Sequence, residues 1–187
     1  MKPLAIVVCL VAIVCVSCGE SGSPAGPSSA RPDEISAANA GSPSGAVAAA
    51  TAIVPFKGHL QGRADPPVFD PPPSPFFSAH LRAEGQATHL GRFIMDFSHR
   101  VNLVTLAGSG KAVFTAANGD TLMTDVEGTA TPAGSPTAFT VTETHTVTGG
   151  TGRFTNATGQ FTITRAVDFA DPFTSGQMKG WISTPGD

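Results

Sequence analysis

The stretch that decides the fold reads TAFTVTETHTVT and runs from Thr137 to Thr148. From Ala138 onward, every second residue is alanine or threonine. The residues between them are Phe139, Val141, Glu143, His145 and Val147. A period of two is the pattern of a β-strand with two unlike faces. Threonine and valine also favour strands. The stretch therefore predicts a strand whose largely apolar face is directed at a core.

Similar alternation recurs along the chain after about residue 53 and is interrupted by residues typical of turns. Asn118-Gly119 is a strong signal for a two-residue hairpin between Lys111–Ala117 and Asp120–Ala130. No segment has a convincing helical period. The other predicted strands lie near 56–63, 81–88, 93–101, 160–169 and 175–183. We therefore predict an all-β fold of about eight antiparallel strands, either a closed barrel or a two-sheet sandwich.

The N-terminus has the features of an export signal. Leu4–Val14 is a continuous apolar run of signal-peptide length, which predicts a signal peptide over residues 1–17. Small residues before Cys18 resemble the lipobox of bacterial lipoproteins, although Cys15 stands where that motif usually has an aliphatic residue. The resemblance implies cleavage before Cys18 and lipidation of its thiol. The alternatives are an ordinary secretory signal cut between Gly19 and Ala25, or an uncleaved anchor.

The segment between this signal and the strands is rich in Gly, Ser, Pro and Ala. Residues 18–51 are therefore predicted to be a flexible linker, and residues 52–187 to form the folded domain. The lipoprotein resemblance implies attachment to a membrane through the N-terminal lipid. It also implies a cell-envelope location, and Gly19 after the cysteine favours the outer membrane or the cell surface.

Composition excludes several classes of function. Charged residues make up 13% of the chain and the formal net charge is −3, so no basic surface for nucleic acid is expected. All three cysteines lie within the first 18 residues, which excludes disulfides and thiolate zinc sites from the domain. The sequence has no phosphate loop, HExxH or EF-hand pattern, and we predict no cofactor. The five histidines lack close ligand spacing, so we predict no metal site.

Four ionisable residues fall on otherwise apolar strand faces: His99, Glu143, His145 and Arg165. If these faces point into a barrel, the four side chains converge and must pair or contact a ligand, because unpaired buried charge is costly. A desolvated Glu beside a His could also act as an acid/base pair. The alternative is structural: a solvated ion-pair cluster near the barrel mouth, or contacts that join neighbouring strands.

Three segments together carry a family resemblance: Thr88–Phe93, Ala116–Asp120, and the GGTGRF motif at Gly149–Phe154 with Ala157-Thr158-Gly159 after it. The set resembles a group of uncharacterised bacterial exported proteins. The GGTGRF portion is also similar to the allene oxide cyclase and dirigent superfamily. That resemblance implies an eight-stranded barrel with an apolar central cavity. Within the motif, we expect Arg153 to bind carbonyls across the turn and Phe154 to plug a barrel end.

The Pro-rich segment Asp65–Phe77 has two interpretations. It is either a lid or contact segment, or a rigid insertion that packs Phe76 and Phe77 on the core.

Three hypotheses for function follow. The first is a non-enzymatic envelope barrel that binds a small apolar ligand or another envelope component. The second, implied by the superfamily resemblance, is a cyclase-like or isomerase-like enzyme that uses Glu143, His145 or Arg165. The third is a purely structural envelope protein. The sequence does not indicate an oligomeric state.

Overall fold

The computed structural model describes residues 52–184. The predicted signal peptide, Cys18 and the linker lie outside the described residues, as do residues 185–187. The described chain forms β-strands and one turn of 3₁₀ helix at Gly152–Phe154. The strands are β1 (Ala52–Ala64), β2 (Val68–Phe69), β3 (Phe76–Ala87), β4 (Gly91–Asn102), β5 (Ala107–Ala116), β6 (Thr121–Pro132), β7 (Ala138–Gly150), β8 (Thr158–Asp168) and β9 (Asp171–Thr184). No helix in this range is long and apolar enough to cross a membrane.

Eight of these strands close into a ring. Each strand from β3 to β9 pairs with its neighbour in sequence, and β1 pairs with both β9 and β3, all antiparallel. Leu60, for example, lies opposite Gly176 of β9 on one side and Gly85 of β3 on the other. The prediction of an all-β, eight-stranded antiparallel barrel is confirmed, and the sandwich alternative is wrong because the ring of pairing is continuous.

The hairpin at Asn118-Gly119 forms, but its reversal is longer than the predicted two residues. β5 ends at Ala116 and β6 begins at Thr121, with Gly119 at φ 89°. The side-chain oxygen of Asn118 accepts the backbone N–H of Asp120 at 3.2 Å, so the turn also includes the residues on either side of Asn118-Gly119. The hydrogen bond between the Asn118 side chain and the Asp120 backbone stabilises this turn rather than a two-residue one.

Alternation places the large apolar side chains inside the ring. Phe56, Phe97, Phe114 and Phe161 are almost completely buried there. Phe114 contacts Phe161 edge-on, with 5.7 Å between ring centroids. Burying a side chain of this size contributes roughly 1.5–3 kcal/mol. An eight-stranded barrel is just wide enough for side chains to fill, and these aromatic rings occupy its centre.

One end of the barrel, here called the sealed end, is covered by turns. The 3₁₀ turn after β7 places Phe154 fully out of solvent beside the buried Leu90 and Ala157. Arg153 donates from Nη2 to the carbonyl oxygen of Leu90 at 3.0 Å and lies over the Phe154 ring. Phe154 therefore closes the barrel end as expected. The carbonyl bound by Arg153 belongs to the β3–β4 turn rather than to its own turn.

The opposite end, here called the open end, is less enclosed. The last inward-facing residues of β4, β7 and β8 are only half-buried: Val101, Phe139, Val141 and Val167. The Pro-rich segment crosses this end between β1 and β3. Phe77 packs against the core, whereas Phe76 is half-buried beneath the Arg100 guanidinium. Of the two phenylalanines that end the Pro-rich segment, only Phe77 is therefore buried in the core.

Candidate functional site

Strands β4, β7 and β8 direct all four candidate side chains to the inner wall of the barrel. Glu143 and His145 alternate with outward-facing threonines on β7, and Arg165 lies on the neighbouring β8. Their exposed fractions are 4%, 0% and 6%. His99 projects from the inner face of β4 and is half-buried. Alternation had indicated this direction for each of the four. We call the group the polar layer.

Glu143 and Arg165 form a two-bonded ion pair. Arg165 donates from Nε to Glu143 Oε2 at 2.9 Å and from Nη2 to Oε1 at 2.6 Å. Both side chains are about 95% buried, so solvent screens the pair little. Parallel bonds of this kind fix geometry as well as charge. The pair is electrically neutral as a unit, and it brings no net charge into the apolar interior.

His145 is the most deeply buried polar residue of the layer. Its ring stacks on Phe161, its cross-strand partner, with 4.9 Å between centroids and 10° between planes. Nδ1 lies 3.0 Å from Thr124 Oγ1, and Nε2 has no hydrogen-bond partner among residues 52–184. Burial is the main cause that lowers the pKa of His145 from 6.5 to about 4; the Arg165 cation adds to this effect, and the Glu143 carboxylate opposes it. The ring is therefore uncharged at neutral pH.

His99 also contacts the ring of Phe97. Its ring stacks on Phe97 with 4.4 Å between centroids, while His145 lies 6.0 Å from the same ring. His99 Nδ1 is buried and has no hydrogen-bond partner in the described part of the chain. Burial, and then electrostatic interactions with Arg165 and His80, lower the pKa of His99 to about 4. The layer thus holds two neutral imidazoles, and each has a buried ring nitrogen without a hydrogen-bond partner among the described residues.

Glycines on neighbouring strands leave room for these large polar groups. Gly110 lies opposite His99, Gly128 opposite Glu143 and Gly176 opposite Arg165. A Cβ atom on Gly110 would lie 2.2 Å from the carbonyl oxygen of Ser98, and one on Gly176 would lie 2.8 Å from Arg165 Cβ. The three glycines therefore let the barrel wall approach the polar side chains closely.

Sequence reasoning missed Thr124, the buried partner of His145. Thr124 is 2% exposed and lies on the inner face of β6 between Leu122 and Val126. Its position on that alternating face could have indicated a buried hydrogen bond, because a hydroxyl on an inward strand face needs a partner.

Two surface concavities lie mostly on the outer wall. The first, about 800 Å³, is bordered by outward-facing residues of β5 to β7, including Ser109, Glu127 and Thr142. The second, about 590 Å³, lies beside the Pro-rich segment and includes His80 and His99. Neither includes Glu143, His145 or Arg165 in its lining. The half-buried side chains at the open end are the least enclosed part of the inner wall near the polar layer.

Among residues 52–184, no group of three or more His, Cys, Asp or Glu side chains is placed to hold a metal ion. The two imidazoles of the layer are available for hydrogen bonding. Each neutral imidazole nitrogen either accepts or donates one bond, depending on the tautomer. The carboxylate and the guanidinium are already committed to each other.

These features define a closed antiparallel barrel of eight strands with an ion pair and two neutral histidines in an otherwise apolar interior. No protein-family model matches the sequence, and no curated protein matches it. Among solved structures, the barrel is similar to the pterocarpan synthase dirigent protein GePTS1, with a TM-score of 0.49 and 12% sequence identity. The likeness covers 78% of this chain and 96% of that chain.

Proposed function

We propose that this barrel binds a small, largely apolar molecule that carries one polar group, at the layer formed by His99, Glu143, His145 and Arg165. The observation that carries the proposal is the unpartnered Nε2 of His145, a ring that is 0% exposed. A buried polar atom without a partner costs about 1–3 kcal/mol. A ligand hydroxyl or carbonyl that completes this bond would recover that free energy.

The surroundings favour an uncharged ligand. Glu143 and Arg165 neutralise each other, and burial keeps both histidines uncharged at neutral pH. A charged ligand would lose its hydration and gain no free counter-charge. Phe97, Phe114 and Phe161 surround His145 at centroid distances of 4.9–6.0 Å and would contact the apolar part of the molecule.

Two measurements on the purified full chain test the proposal. Mass spectrometry of an organic extract should find a small apolar molecule bound to the protein. An apolar fluorescent probe, 1-anilinonaphthalene, should bind wild type and be displaced by that extract. His145→Phe keeps the stacking and removes the nitrogen, so it should weaken probe binding. His89→Asn, at an exposed turn with φ 64°, is the matched control and should bind normally.

An empty extract together with no probe binding would overturn the ligand proposal and favour a purely structural envelope protein. Equal probe binding by wild type and His145→Phe would remove His145 from the site.

A cyclase-like or isomerase-like activity is the second candidate. It is favoured by one observation, an uncharged imidazole beside a carboxylate in an apolar interior. A histidine with a pKa of about 4 is a weak base near neutral pH, and Glu143 is held by Arg165. Ligand binding therefore ranks first. Chemical conversion of the copurified molecule by wild type, but not by His145→Phe, would reverse that ranking.

The proposed location is the bacterial cell envelope, with the protein held by lipid on Cys18. The support is the sequence of residues 1–18. Mass spectrometry of the membrane fraction should show acyl chains on Cys18 and none in Cys18→Ser. Recovery of an unmodified wild-type chain in the soluble fraction would contradict this location.

A further inference from the structure

The open end of the barrel carries a cluster of exposed apolar side chains. The described chain has eleven large apolar residues that are well exposed, and six of them lie at this end. Single exposed apolar residues are ordinary, but a concentrated set marks a contact surface. We call this set the apolar rim. It consists of Val68, Phe69, Leu103, Val104, Phe169 and Phe173.

The rim residues come from three separate connections and the beginning of β9. Val68 and Phe69 form β2, Leu103 and Val104 lie in the β4–β5 turn, and Phe169 lies in the β8–β9 turn. Phe173 pairs with Arg63 at the end of β1. They therefore stand around the mouth of the barrel on different loops.

Contacts with buried aromatics hold two of these rings in place. Phe69 lies 5.6 Å from Phe77 between ring centroids, and Phe169 lies 6.2 Å from the same ring. Phe169 also meets Phe139 edge-on at 5.5 Å. Side chains that are already ordered lose less entropy when they enter an interface.

We propose that the apolar rim docks on the surface of a lipid bilayer that is electrically neutral overall, with the mouth of the barrel facing the lipid. Side chains on several loop tips around a ring offer no continuous groove to a rigid protein partner. A fluid hydrocarbon layer accepts apolar side chains in any arrangement, and each buried side chain adds favourable transfer free energy.

Charge selects the kind of lipid. Asp168 adjoins Phe169 and Asp171 lies two residues before Phe173, whereas Asp70 is paired with Arg100 and the Arg63 guanidinium lies over the Phe173 ring. The Asp168 carboxylate accepts the backbone N–H of Ala170 at 2.9 Å, which lowers its pKa and keeps it charged. The charges at the rim are therefore of both signs and nearly balanced, so a zwitterionic surface is the complementary one.

The position of the preceding chain is compatible with this docking. Ala52 pairs with Thr184 at the sealed end, so the N-terminal segment joins the barrel away from the rim. Between Cys18 and Ala52 lie 33 residues, which span at most about 110 Å when fully extended. A strand of 12 residues is only about 40 Å long. A chain held at Cys18 can therefore reach the same bilayer with its rim.

Hydrogen exchange of the full chain tests the proposal, with and without an excess of phosphatidylcholine vesicles. The vesicles should slow exchange at backbone amides of 103–106 and 169–173 by about tenfold. Amides of 117–120, at the sealed end, should be unchanged. Val104→Ser combined with Phe173→Ser alters two of the most exposed rim residues and should abolish the protection. Ile53→Ser combined with Trp181→Ser removes exposed apolar groups outside the rim and should leave it intact.

Three results would overturn the docking. The first is unchanged rim exchange with vesicles. The second is rim protection that depends on protein concentration without vesicles, which would assign the rim to a second copy of the chain. The third is protection only with phosphatidylglycerol vesicles, which would point to an anionic lipid. None of these results bears on probe binding by His145, so docking and ligand binding can fail separately.

Discussion

Arg165 and Glu143 are bonded to each other twice along a diagonal of the β7–β8 pair. Glu143 lies opposite Ile163, and Arg165 lies opposite Val141, so the two side chains lean towards each other within the barrel. The contact satisfies the charge of each group inside an apolar wall. Neither group is therefore free to act alone.

Removing one partner should destabilise the barrel strongly. In Glu143→Gln the Arg165 cation loses its counter-charge in a buried site, and we expect a loss of about 3–5 kcal/mol in the free energy of unfolding. Urea unfolding measures the change. Glu143→Leu combined with Arg165→Met removes both charges and should cost much less than Glu143→Gln.

The exposed pair Lys111–Asp125, 2.5 Å between Nζ and Oδ1, is the matched control for that experiment. Lys111→Met should change stability by no more than about 1 kcal/mol. Equal effects of Glu143→Gln and Lys111→Met would contradict the importance assigned to the buried pair.

The two interior histidines should make stability depend on pH in the acid range. Burial lowers the pKa of His145 and of His99 in the folded protein to about 4, against 6.5 in the unfolded chain. Below pH 6.5 the unfolded chain binds protons that the folded barrel does not. The contribution of these two histidines to the free energy of unfolding is therefore fully present above pH 6.5 and is lost as pH falls towards 4.

Urea midpoints measured between pH 7 and pH 4 should show this loss, of order 3 kcal/mol for His145 alone. His145→Phe should make the profile shallower and leave the loss due to His99, and His89→Asn should leave the profile as in wild type. A wild-type midpoint that is constant between pH 7 and pH 4.5 would show that the histidines titrate normally.

Gly110→Ala should destabilise the barrel, because the added methyl group would lie 2.2 Å from the Ser98 carbonyl oxygen and 2.7 Å from His99 Cβ. Overpacking of this kind costs about 1–3 kcal/mol. Gly108→Ala, two residues earlier on β5, meets nothing closer than 3.1 Å and should be milder. Thermal melts of the two variants compare them directly. A lower melting temperature for Gly108→Ala than for Gly110→Ala would mean that β5 does not pack closely against His99.

Arg153→Met should lower stability by about 1 kcal/mol, since it removes the bond to the Leu90 carbonyl and keeps an aliphatic stem over Phe154. Arg92→Met, an exposed arginine on β4, provides the control. Probe binding should be the same in both variants, because the sealed end lies away from the open end, where we expect a ligand to enter. Weakened binding in Arg153→Met alone would place the entry at that end.

Alternation was sufficient to predict the strands, the all-β class and the shared apolar faces that carry His99, Glu143, His145 and Arg165, but it left barrel and sandwich open. It specifies the face of a strand but not the height of a residue along the barrel. The diagonal pairing of Glu143 with Arg165 depends on the register between β7 and β8, which no local pattern reveals. The link from His145 to Thr124 depends in the same way on the register with β6.

The rim was not predictable for a related reason. Phe69, Val104 and Phe169 lie in three connections that are remote in sequence, and each looks like an isolated exposed residue. They come together only because the ring closes and brings these connections to one end.

Closure of the ring also limits how any other protein can recognise this domain. Because β1 hydrogen-bonds to β3 on one side and to β9 on the other, the eight-stranded ring formed within residues 52–184 has no free strand edge along most of its length. Along that length a partner cannot extend the sheet by strand addition, the route by which many peptides bind β domains through their main chain, and unpaired edge of the described chain remains only at the start of β1 and at β2. Away from these edges, recognition must rely on side chains and turns, and single substitutions at the surface should be able to abolish it.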